Sequence, residues 1–270
     1  MACTAHTLLD RDEPQAEAGR QRGGRDMATR SLKSDRPFAA AIVAAILLVV
    51  LVGFSRSFFL MPIFGSKPDW AAKEPIFYLH GTVFSLWFAL LAYQAFLIRQ
   101  HSVRLHRKLG YAGAGLGALV VLLGSYVALR AANRPGGFIG VPFPPEQFLA
   151  VPIIGMALFA VLLTLAILNR NRPARHKRLM LLASIDLLGA PVARLPLMMP
   201  ALPFWTDSVV YSAFVIAISY WDVQTRGKLR PETLYGGSAV VILNFAAIPI
   251  GSTQVWQAFA LWMMSFVGPP

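Results

Sequence analysis

The feature that most constrains this chain is a series of apolar blocks, each about 18 residues or longer, the length a helix needs to cross roughly 30 Å of hydrocarbon. Seven such spans can be placed, at roughly residues 37–60, 76–98, 109–131, 147–168, 177–197, 205–222 and 237–262. The connections between them are short, so no soluble domain fits on either side. The expected fold is all-α, a polytopic membrane bundle of seven transmembrane helices over residues 37–270. Composition agrees: 56% of residues are hydrophobic and 14% charged, against about 25% charged in an ordinary soluble domain.

A net charge of +12 would suggest nucleic acid in a soluble protein, but the distribution of the basic residues argues otherwise. Nineteen of the 25 Lys and Arg residues fall in the N-terminal tail and in the connections at 99–108, 169–178 and 222–231. The alternate connections and the spans hold the other six: Arg56, Lys67, Lys73, Arg130, Arg134 and Arg194. This asymmetry predicts a cytoplasmic N-terminus, an external C-terminus and a bacterial inner-membrane location. The bilayer is the expected partner, and nucleic acid is not.

Residues 1–36 are polar, mix both charge signs and contain Gly19, Gly23 and Gly24. They are expected to form a disordered, basic cytoplasmic tail. Met27 opens a short basic lead-in to the first span, so translation is expected to be able to start there, leaving residues 1–26 dispensable. Cys3 is the only cysteine, which excludes an intramolecular disulfide and a cysteine metal cluster. No metal site is expected.

Several spans carry residues that lipid does not favour. His80, Trp87 and Gln94 recur every seven residues and share one helix face, about 10 Å apart per step. They read either as a polar pocket or as a buried hydrogen-bonding stripe. The fifth span combines Ser184, Asp186, Gly189, Pro191 and Arg194. Asp186 falls near the midplane and must be protonated, paired or wet, with the 80-to-94 stripe or Asn244 as partners. Pro191 frees the Leu187 carbonyl and predicts a kink. Arg56, Arg194 and His80 fall at one level in the outer third, a site suited to a polar or anionic head group. Gly113 and Gly117 read as a close helix contact. The last span is interrupted at Pro249 and Gly251, with Trp256 and Trp262 as interfacial anchors.

Two basic helix starts resemble each other, residues 105–109 (LHRKL) and 175–179 (RHKRL). His106, Arg107, His176 and Lys177 are therefore candidates for contact with lipid phosphates or another anion. Asp222, near several arginines, reads first as a salt bridge. The connection at 132–146, with Pro135, Gly136, Gly137, Pro142, Pro144 and Pro145, reads as a structured cap or a lid.

His80-Gly81 with Trp87, residues 105–110 (LHRKLG), residues 176–180 (HKRLM) and Asp222 with Arg226-Gly227 together resemble a group of uncharacterised bacterial multi-pass membrane proteins. The resemblance implies a membrane helix bundle and assigns no activity. The histidine-led helix starts are also similar to membrane cytochromes of the b561 type, which implies haem b. The chain departs from a two-layer, four-histidine pattern: His80 has no partner histidine, His101 lies in a loop and His6 in the tail. No cofactor is expected. The leading expectation is a protein that binds, transports or senses a small molecule through an outward-facing polar pocket lined by His80, Trp87, Gln94, Asp186, Arg194 and Arg56. The alternatives are a membrane oxidoreductase using haem b or a quinone, and a structural or assembly protein.

Overall fold

The computed structural model describes residues 36–64, 74–195 and 206–268. The expected tail, Cys3, Met27 and most of the connections at 61–75 and 198–205 lie outside the described residues. Residues Ala40–Pro270 pack as one unit, and of the preceding unit the described residues are the first turn of α1.

Every regular element among the described residues is helical. The main helices are α1 (Arg36–Gly53), α2 (Pro75–Arg99), α3 (Val103–Ala132), α4 (Ala150–Leu168), α5 (Pro173–Asp186), α6 (Gly189–Val192), α7 (Thr206–Arg226), α8 (Gly237–Gly251) and α9 (Gln254–Ser265). Prolines open α2 and α5, where the missing N–H and fixed φ cost nothing. Five helices are long and apolar enough to cross a membrane: Arg36–Gly53, Pro75–Arg99, Val103–Ala132, Pro145–Leu168 and Glu232–Gly251.

Three spans differ from their expected form. The first ends as α-helix at Gly53 and continues as a π-helical turn, Ser55–Phe59. The fifth is two pieces: α5 stops at Asp186 and α6 resumes at Gly189. Pro191 has no N–H for the Leu187 carbonyl, so the helix breaks there instead of bending. The last span is shifted. Its crossing runs through a π turn at Glu232–Gly236 into α8 and ends at Gly251, and α9 is a separate helix whose Thr253 side chain accepts from the Trp256 N–H at 3.3 Å. In addition, α3 begins at Val103, so His106 and Arg107 are helical residues and not part of a loop. His101, at φ 59°, makes the tight turn from α2 to α3, a conformation that histidine tolerates better than most side chains.

The connections gather at two ends. At one, here called the basic end, His106 meets His176, Arg178 meets Asp222 and Arg175 meets Glu232. At the other, Glu74 sits between Arg130 and Arg134, with ion-pair distances of 3.3 and 3.4 Å. There Arg134 lies over the Phe77 ring at 3.8 Å. Burial lowers the Arg134 pKa from its usual value, Glu74 opposes the change, and Arg130 adds to the lowering. Asn133 donates to the carbonyls of Met264 and Val267, and Trp256 Nε1 donates to the Glu146 carbonyl. These bonds fasten α9 over the 132–146 connection. Its Phe138 and Phe143 both pack on Phe148, which makes this connection a folded cap.

Between the ends the core is apolar and close. Trp87 meets the edge of Phe159 at 5.1 Å. A Cβ at Gly117 would collide with Leu163 and crowd Trp87, so the third helix needs glycine there to approach its neighbours. Gly53 has the same role for α1: a Cβ there would strike the Pro191 backbone carbonyl.

Candidate functional site

Two groups of polar side chains lie inside the bundle, and they differ in how they are satisfied.

At the basic end, Arg178 projects from α5 and Asp222 from α7, 2% and 0% exposed respectively. Arg178 Nε donates to both carboxylate oxygens, at 2.9 and 3.1 Å, and its Nη2 also donates to Oδ1. Nη1 donates to the Ala174 carbonyl at 2.9 Å, and the Thr233 hydroxyl donates to Asp222 Oδ2 at 2.6 Å. The carboxylate is thus held by a fork and a hydroxyl from two other elements. Arg175 pairs with Glu232 at 2.6 Å beside it. Arg230, on the following connection, has its pKa lowered by burial and by the charges of Arg226 and Arg178, with Glu232 and Asp222 acting in the opposite direction. Asp222 therefore belongs to a structural ion pair. Sequence reasoning placed that carboxylate near arginines but missed Arg178 and Thr233. Arg178 sat within a basic run that topology alone explained.

Next to this pair, the two histidines of the duplicated helix starts come together with ring centroids 6.3 Å apart and planes at 81°. His176 Nδ1 lies 2.8 Å from the Ala166 carbonyl. A carbonyl only accepts, so that nitrogen carries the proton and a neutral His176 keeps Nε2 as a lone pair. His106 Nδ1 is buried with no hydrogen-bond partner. Arg107 is exposed and Lys177 half-buried, so the expected four-residue contact set is split between an inward-facing histidine pair and two outer cations.

The second group lies along α2 and at the α5–α6 break. His80 Nδ1, Trp87 Nε1 and Gln94 Oε1 are all buried with no hydrogen-bond partner, although Trp87 is 2% exposed. His80 stacks at 4.2 Å on Phe84. Asp186 is 5% exposed. Its Oδ1 accepts from Asn244 Nδ2 at 3.0 Å, one of the two partners expected from sequence, while Oδ2 is buried with no partner. The Asn244 amide nitrogen also donates to the Val240 carbonyl. Arg194 makes no ion pair with Asp186 among the described residues; its Nη1 donates to the Ala190 carbonyl at 2.8 Å and its guanidinium lies 5.3 Å from the Phe54 ring centroid. The charge of Arg194 acts on His80. Arg56 is exposed on the π turn that follows α1.

Sequence reasoning also missed Tyr211 and Asp207 of α7. A Cβ on Gly189 would strike the Tyr211 hydroxyl and lie 3.8 Å from Asp207 Oδ2, so both oxygens sit over the α5–α6 break. Their positions follow from helix register. Arg178 to Gly189 is eleven residues along α5 and α6, and Asp222 back to Tyr211 is eleven along α7. The ion pair at the basic end therefore aligns the antiparallel α7 so that its tyrosine faces the break.

Among the described residues, no group of three or more His, Cys, Asp or Glu side chains is placed to hold a metal ion. No protein-family model, curated protein or solved structure matches the chain.

Proposed function

We propose that this chain is a seven-crossing bacterial inner-membrane protein with its basic end in the cytoplasm, and that it binds a small polar or anionic molecule in the half of the bundle that carries His80, Asp186 and Arg194. The resemblance to multi-pass bacterial membrane proteins belongs to the same reading. The observation that carries it is that two buried polar atoms of this half, His80 Nδ1 and Asp186 Oδ2, have no protein hydrogen-bond partner. In hydrocarbon each such atom costs several kcal/mol unless water or a ligand reaches it. Packed helix pairs satisfy such groups when the purpose is only structural, as Arg178 and Thr233 do for Asp222. Arg194 supplies the charge and His80 the exchangeable hydrogen bond for an anionic group.

Accessibility of this half to water tests the reading. In a Cys3→Ser background, His80→Cys should react with a membrane-impermeant thiol reagent applied from outside at least about tenfold faster than Leu122→Cys, whose side chain is 70% exposed on the bundle surface. Equal, slow labelling would remove the pocket.

A second reading, a membrane oxidoreductase, is favoured by the His106–His176 pair. Two imidazoles sharing one metal ion through nitrogens about 2 Å from it would have centroids about as far apart as the 6.3 Å observed. The Nδ1–H on a backbone carbonyl is the arrangement common in ligating histidines. A Soret band in the visible spectrum of the purified protein, lost in His176→Ala, would decide for haem b, and a featureless spectrum after expression with haem supply would decide against it.

A further inference from the structure

We infer that the α5–α6 break is a binding site for an exchangeable monovalent cation, Na+ or H+, held by the Asp186 carboxylate with Asp207 and Tyr211. The inference rests on the reading of this half as open to polar ligands and names the charge that such a site must also take up.

The break supplies the geometry. A helix that stops inside a membrane presents its negative dipole end and its unpaired carbonyls to whatever lies beyond. Here α5 ends at Asp186, and Pro191 leaves the Leu187 carbonyl without its helical donor. Discontinuous helices of this kind hold Na+ or H+ in secondary transporters at the bilayer midplane. Gly189 leaves room for the Tyr211 hydroxyl and the Asp207 carboxylate to come over the break.

The second, independent observation is Asp186 itself. It is 5% exposed, one oxygen is satisfied by Asn244, and the other is buried with no partner. The group bonded to it is Asn244 from α8, and the Tyr211 hydroxyl and Asp207 carboxylate of α7 lie over Gly189, three residues further on. None of these supplies a positive charge. Neither Asp186 nor Asp207 is in an ion pair among the described residues, whereas Asp222, at the far end of the same α7, is held by Arg178. Two carboxylates, a phenol and a freed carbonyl at one helix break form an oxygen-only set, the donor chemistry of a hard cation. Arg194 and His80, the cationic side of the pocket, are held separately by Phe54, Ala190 and Phe84.

The test is the thermal stability of the full-length protein in lipid nanodiscs, titrated with NaCl against N-methylglucamine chloride at constant ionic strength, and separately from about pH 5 to about pH 9. For a Na+ site, wild type gains about 4 °C in Tm at ten times the half-saturating NaCl concentration, and Asp186→Asn does not respond. For a proton site, NaCl has no selective effect, the wild-type Tm falls as pH rises because an ionised midplane carboxylate is costly, and Asp186→Asn stays flat over the same range. Tyr211→Phe, which removes one oxygen, moves the NaCl or proton half-saturation point about tenfold and keeps the proposal testable if Asp186→Asn does not fold. Parallel curves for wild type and both variants in both titrations overturn the cation site. His80→Cys labelling is read separately: labelling with flat titrations leaves the pocket and removes the cation, and no labelling removes the pocket itself.

Discussion

Asp222 and Asp186 are both aspartates buried in the same bundle, one at each end of the interface between α5 and α7, and the protein treats them in opposite ways. Asp222 receives a guanidinium fork and a threonine hydroxyl, so its charge is matched and its lone pairs are used. Asp186 receives one amide hydrogen bond and keeps a buried oxygen with nothing to accept from. The desolvation cost is similar at both places, so the difference lies in what supplies the compensation. At the basic end the chain supplies it. At the break something that is not part of the chain must.

The sharpest way to break this comparison is at the satisfied end. Asp222→Asn strips the charge that Arg178 was placed to meet, and stability against SDS-induced unfolding should fall by about 4 kcal/mol, as when one partner of a buried pair is removed. The double replacement Arg178→Met with Asp222→Leu should recover most of that loss; if it does not, the pair does more than hold helices. Gly53→Val comes next. At the helix break α1 is held by a backbone contact, and the added side chain would run into the Pro191 carbonyl, so the same assay should show a loss of about 3 kcal/mol. Asn244→Leu removes the only described protein donor to Asp186 and should cost about 2 kcal/mol. A smaller loss would mean that water or a ligand already meets the carboxylate. The smallest effect is expected at the cap: Trp256→Phe removes the bond to the Glu146 carbonyl and should lower Tm by the equivalent of about 1 kcal/mol, leaving His80→Cys labelling unchanged.

The sequence disclosed one side of this contrast better than the other. The α2 stripe was legible because a seven-residue spacing fixes a helix face, and its three residues do carry partnerless polar atoms. Asn244 was legible as a polar residue in an otherwise apolar run, and Pro191 announced an interruption, read as a kink where the helix in fact breaks. Arg178 was hidden because a charge that fixes topology and a charge that pairs inside the bundle look alike in a run of arginines. Tyr211 and Asp207 were hidden for another reason. Nothing in α7 distinguishes them until the register set by Arg178 and Asp222 brings them over Gly189. The last span was misplaced because its apolar pattern continues past Gly251. The Thr253 cap, three residues before Trp256, was the local signal of a new helix start.

The contact between Gly53 and Pro191 also sets an order of events during synthesis. The two residues are 138 positions apart in the chain, so at typical elongation rates of about 5 to 20 residues per second α1 is made about 7 to 28 seconds before the surface it docks on. During that interval the Gly53 face of α1 is without its partner. Its sequence suits such a wait, with no charged residue between Pro37 and Ser55. The Gly53 face can close only after the broken helix has been made, whereas Phe58, on the π turn that follows α1, packs on Gly81 of α2, which is made far sooner.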